Sequence, residues 1–75
     1  MSIKKPPTPT ENWSNDCAAG REYARFVLEE TDKFQDPLAL LAAVAIMKGS
    51  PLSGIQVGFY QTIAETLLVL SDANE

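Results

Sequence analysis

Ten consecutive apolar residues, Leu38 to Met47, lie inside the segment DPLALLAAVAIMKG, and no other feature constrains the fold of this chain as strongly. Asp36 is placed to cap a helix, and Pro37 suits a first turn, where its missing N–H costs nothing. Gly49 is expected to supply a left-handed stop after Lys48. At helical spacing Leu38, Leu41, Ala42 and Ala45 share one side, and Leu40, Val44 and Met47 share the other. A helix apolar all round has to be covered on more than one side, so a central core helix is expected. Ten residues are too few to span a bilayer.

With only 75 residues the chain can build one small domain, because short chains bury a smaller share of their surface. Cys17 is the lone cysteine and histidine is absent, so neither an internal disulfide nor a zinc cluster can be assembled. Without a signal peptide or a long apolar run, a cytoplasmic protein with no membrane partner is the expectation.

The pattern predicts an all-α, compact three-helix domain over residues 13–75, preceded by a disordered N-terminal tail at residues 1–12. The tail, MSIKKPPTPTEN, has neither helical nor strand period. A first helix is expected from a Ser14 cap, with Trp13 as a hydrophobic staple, to about Glu30 or Asp32. Its inner face would be Cys17, Gly20, Ala24, Val27 and Leu28, with Tyr23 and Phe26 on a flank. Gly20 costs helix propensity, which points to the close approach of another backbone. Thr31 to Gln35 reads as a polar link anchored by Phe34. The third helix starts either at Ser50-Pro51 or at Ser53, whose spacing to Gln56 is that of a capping box, and runs to about Leu70. Ile55, Phe59, Ile63, Leu67 and Leu70 form its core face.

Ala45, Gly49 and Ile55 match the spacing of helix-turn-helix units: a small residue, a turn glycine and a locking aliphatic. This makes the second and third helices helix-turn-helix-like, although Gly58 stands where a packing aliphatic is usual. The DNA chemistry is missing. Pro51 to Leu70 contains no Lys or Arg, and its one charge is Glu65. Gln56 and Gln61 could read adenine edges, but without phosphate contacts they have no affinity to work with. Arg21 and Arg25 are offset by neighbouring glutamates, and the formal net charge is −4. A nucleic-acid partner is therefore disfavoured. Catalysis is disfavoured too, since Cys17 has no base beside it and a carboxylate pair needs a cleft larger than this chain provides. No enzyme activity and no cofactor are expected.

Between Pro37 and Ala64 the only charge is Lys48. A second apolar stripe on helix three, Val57, Tyr60, Ala64 and Leu68, is either sandwiched in the core or meets another chain, as a docking face or a homodimer seam. These four residues are the candidate partner-binding set.

The chain also resembles a known family. Over residues 13–70, with NWSNDCAAGREYARFVLEE as first helix and SPLSGIQVGFYQTIAETLL as last, a small acidic chain of this kind is similar to the short helical antiactivators of integrative and conjugative elements, the QseM type. The resemblance implies a protein that binds transcriptional activators, among them a quorum-sensing regulator, and stops them switching on conjugative-transfer genes. It carries over no binding residue. A small helix-turn-helix DNA-binding regulator and a homodimeric antitoxin-like partner are the alternatives from the residues alone.

Overall fold

The structure is a computed structural model that describes residues 5–50 and 53–73, with side chains described through residue 69. Its described residues form three helices and no strand: α1 (Trp13–Phe34), α2 (Pro37–Lys48) and α3 (Gly54–Ala73). Residues 5–12 are neither helix nor strand, and the rest of the expected tail, residues 1–4, lies outside the described residues.

Three glycines decide the packing. A Cβ built on Gly20 would fall on the carbonyl oxygen of Ile55, and one built on Gly58 would fall on that of Cys17. One built on Gly54 would come within 2.9 Å of the Trp13 carbonyl oxygen. The backbones of α1 and α3 therefore touch directly, as the cost of Gly20 in a helix suggested, and Gly58 is glycine because no side chain fits there. Contacts advance together along both helices, from Gly54 on Trp13 to Tyr23 on Phe59, so α1 and α3 run parallel and α2 returns antiparallel between their ends. The rings of Tyr23 and Phe59 lie 5.8 Å apart at the centre of the core, and Ala24, Val27, Ala43, Met47 and Ile55 close around them. Burial pushes the Tyr23 phenol above its ordinary pKa of 10.0.

Such direct contact leaves no room for a helix between α1 and α3. The expected central core helix is instead peripheral: α2 packs mainly on α1 and buries only Ala39, Ala43 and Met47. Leu40 and Val44 are half-buried against the core, whereas Leu38 and Leu41 are 67% and 63% exposed. Of the helix-turn-helix spacing, Ile55 is buried and Gly49 closes α2, but Ala45 faces outward.

The helix ends also differ in part from expectation. Asn12, not Ser14, caps α1, accepting the Asn15 N–H at 3.0 Å; Trp13 is consequently the first helical residue and is exposed, not a staple. Further on, α1 continues through the expected link to Phe34. Gln35 ends it in the left-handed region, φ 51°, with its N–H on the Asp32 carbonyl and that of Asp36 on Thr31, a Schellman pattern. Phe34 is on the surface beneath Lys33 and anchors nothing inside. Asp36 and Pro37 begin α2 as predicted, the Asp36 carboxylate accepting the Leu38 N–H at 3.0 Å.

Gly49 makes no left-handed stop. Its φ is −83°, and α2 ends by tightening its last turn, Ser50 N–H donating to Met47. Gln56 then captures the loose carbonyls: its Nε2 donates to Met47 at 2.6 Å and to Ser50 at 2.9 Å. Its Oε1 accepts the Ser53 N–H, the capping-box contact that favours the Ser53 start. The alternative Ser50-Pro51 start falls partly outside the described residues. Helix α3 runs to Ala73, past the expected end near Leu70; the Leu70 side chain is outside the described set. Leu67, placed on the core face by its spacing, is exposed, because the core closes at Ile63.

Asp16 is a buried carboxylate that periodicity missed. Both its oxygens accept the Thr10 N–H at 3.0 Å, and Oδ1 takes the Thr10 hydroxyl at 2.7 Å. Thr10 in turn accepts the Asn12 N–H, so the segment ahead of α1 is clasped onto its first turn, where negative charge is favourable.

Gly20→Ala should be destabilising by about 3 kcal/mol or more, since backbone cannot yield as a side chain does. Gly49→Ala, with ordinary space around it and a right-handed φ, should instead gain about 0.4–1 kcal/mol. Guanidinium unfolding of the two variants checks the contrast. Thr62 Oγ1 is buried without a hydrogen-bond partner among the described residues, so Thr62→Val should raise stability by about 1 kcal/mol in the same assay.

Candidate partner-binding surface

Along α3 the core positions Ile55, Phe59 and Thr62 face α1, which turns the opposite side of the helix outward. That side carries Val57, Tyr60, Ala64 and Leu68, all exposed. Val57 and Tyr60 are 41% and 40% exposed, and Leu68 65%. Successive members are three or four residues apart, so the four form one row on the helix surface, and Leu67 widens it beside Leu68.

Tyr60 is the rigid point of the row. Its ring meets the buried Phe59 ring edge-on, centroids 5.4 Å apart and planes at 79°. A side chain already held by the core loses little rotamer freedom when a partner covers it. Lys48 closes one end: with Gln56, Val57, Tyr60 and Gln61 it lines a shallow depression of about 600 Å³. The row thus offers apolar contact, one cation at its rim and the amide of Gln61.

Helix α2 contributes a second exposed apolar face, Leu38, Leu41, Ala42 and Ala45, with Ile46 part-exposed on its flank. Spacing separates this set from the Leu40, Val44 and Met47 side but gives no reason to prefer either inside. The available signal was Gly20 together with Gly54 and Gly58. Read as one close crossing of α1 and α3, they place α2 outside it.

Among the described residues the cations do not gather. Arg21 and Arg25 share one side of α1, Lys33 lies near its far end, Lys48 ends α2, and α3 contributes none. Among the described residues no three His, Cys, Asp or Glu side chains come together as a metal site, and no helix is long and apolar enough to cross a membrane. Cys17 is half-buried, and its backbone rather than its thiol is what meets α3, at Gly58.

Known protein-family models, curated proteins and solved structures gave no match to this chain.

If the row is surface and not core, Val57→Asp with Leu68→Asp should keep the helical circular dichroism and lower the unfolding free energy by less than about 1 kcal/mol. Phe59→Ala, which empties the centre of the core, should cost about 3–5 kcal/mol in the same measurement.

Proposed function

We propose that this chain is a non-enzymatic regulatory protein, an antiactivator that binds a transcriptional activator and inhibits it through the α3 row of Val57, Tyr60, Ala64 and Leu68. The observation that carries the reading is the exposure of that row, on a helix with no basic residue with which to hold nucleic acid. The resemblance to QseM-type proteins supplies the partner class and the setting, control of quorum sensing and conjugative transfer in the cytoplasm. A helix face of this kind suits a groove or helical surface on the activator, with the apolar row covered and Lys48 at the edge beside a carboxylate.

Magnitudes limit what the row does alone. Side chains of this size gain about 1.5–3 kcal/mol each on full burial, and these are already part-buried. Association itself costs at least about 4 kcal/mol. Three large anchors therefore give a weak complex, and a tight one has to cover Leu67, Gln61 and Lys48 as well.

The test is affinity capture from the native host with tagged wild type beside Val57→Asp, Leu68→Asp, followed by mass spectrometry. The expected result is a transcriptional activator recovered by wild type and lost from the folded variant, whose target promoter is silenced by wild type alone in a reporter strain. Recovery of only the chain itself or of nucleic acid sinks the reading.

A further inference from the structure

The segment Lys5-Pro6-Pro7-Thr8-Pro9 lies in a bed formed by all three helices. Proline holds its φ near −65° and keeps the residue before it out of the helical region, so this segment is extended without help from its surroundings. Pro6 and Pro7 are half-buried. Pro7 stands between two walls. On one side it shares a hollow with Ala19, Glu22 and Tyr23 of α1. On the other, Pro6, Pro7 and Pro9 lie over Met47, Ile55 and Gln56, where α2 gives way to α3. We propose that this junction is a binding site for an extended, proline-containing segment of a partner protein, and that the chain's own residues 5–10 occupy it in cis.

The chemistry of the bed is that of proline recognition. Pyrrolidine rings dock where an aromatic ring and apolar side chains receive them, and a chain already extended loses little entropy in docking. Tyr23 supplies the aromatic ring, fixed in advance by its contact with Phe59 at 5.8 Å. Met47 and Ile55, both buried, supply the apolar floor. Pro6, Pro7 and Pro9 have no N–H, so they cover that floor without burying a donor. Among the described residues, the hydrogen bonds that tie residues 5–10 to the helices all run from Thr10 to Asp16. The prolines themselves are held by packing, which another segment of the same kind can replace.

The fit selects a partner over a second copy. Pro6, Pro7 and Pro9 leave a hollow of about 80 Å³ against Met47 and Ile55. Atoms lining such a void lack contacts that a better-filled site would have. The tail of a second copy brings the same prolines and leaves the same void. A partner segment with a larger apolar side chain at that point fills it. Gln56 lines both this bed and the depression beside Lys48, and its three hydrogen bonds fix it as the wall between them. The bed is therefore a separate surface from the α3 row.

The probe is a fluorescein-labelled peptide of residues 5–12, Lys-Pro-Pro-Thr-Pro-Thr-Glu-Asn, followed by fluorescence polarisation. It is titrated with the full wild-type chain and with the full chain carrying Pro6→Gly, Pro7→Gly and Pro9→Gly, whose own segment no longer competes. The peptide should bind the triple variant and bind wild type at least about tenfold more weakly, because a tethered segment competes at roughly millimolar effective concentration. Adding Ala19→Glu, at a half-buried site in the wall beside Pro7, should abolish binding to the triple variant. A control peptide with alanine at its three proline positions should bind neither chain. Equal binding to wild type and the triple variant, no binding to the variant, or binding of the alanine peptide overturns the proposal. So does loss of the helical spectrum in the triple variant, which would make the segment part of the core. A wild-type dimer in sedimentation that the three glycines dissociate assigns the bed to a second copy and overturns it as well. None of these results involves Val57, Tyr60, Ala64 or Leu68, so the activator reading stands or falls separately.

Discussion

The direct contact between the α1 and α3 backbones, made possible by Gly20, Gly54 and Gly58, is the constraint on which the rest of the structure depends. Helix axes in proteins ordinarily stand 8–10 Å apart because side chains separate them. Here glycines face backbone atoms at each crossing point. The gain is dispersion contact along both backbones, and the loss is helix propensity at the two interior positions Gly20 and Gly58, about 1 kcal/mol each. A small chain with few large core residues benefits from that exchange, since it has only Tyr23, Val27, Met47, Ile55 and Phe59 to fill its centre.

The segment before α1 and the connection between α2 and α3 are held to this contact by hydrogen bonds. Asp16 clasps the segment before α1 through Thr10, and its own Cβ lies beneath Gly54, so one residue joins the chain start, α1 and the start of α3. Gln56 does the corresponding work at the other connection, with two donor bonds to the end of α2 and one acceptor bond to Ser53. Both side chains are buried and satisfied, which removes alternatives for the loop paths in a way that apolar packing, being non-directional, does not.

Because α1 and α3 exclude α2 from between them, the molecule is flat, with principal extents of 40 × 29 × 17 Å. A flat three-helix body has two broad sides and too few side chains to cover both. The outer face of α2 and the far row of α3 remain bare as a consequence of that geometry, and the proposed activator contact rests on the α3 row. Their residues are ordinary core-type aliphatics, so the same side chains would read as interior in a thicker fold.

The sequence by itself determined the three helices and the Asp36-Pro37 start of α2, narrowed the start of α3 to Ser50-Pro51 or Ser53, and marked Gly20 as a costly helix residue. Each of these is a local matter of periodicity, capping geometry or backbone conformation, decided within a few residues. It also marked Val57, Tyr60, Ala64 and Leu68 as a separate stripe, since angular position on a helix follows from spacing. Which stripe of α2 faces inward, and how far the core face of α3 extends, was not legible. Leu38 and Leu41 are as apolar as Leu40 and Val44, and Leu67 is spaced as regularly as Phe59, so hydrophobicity ranked them alike. Only the tertiary structure decided between them, because burial depends on which surface a neighbouring helix occupies, and that was settled by glycines far away in the chain meeting backbone to backbone.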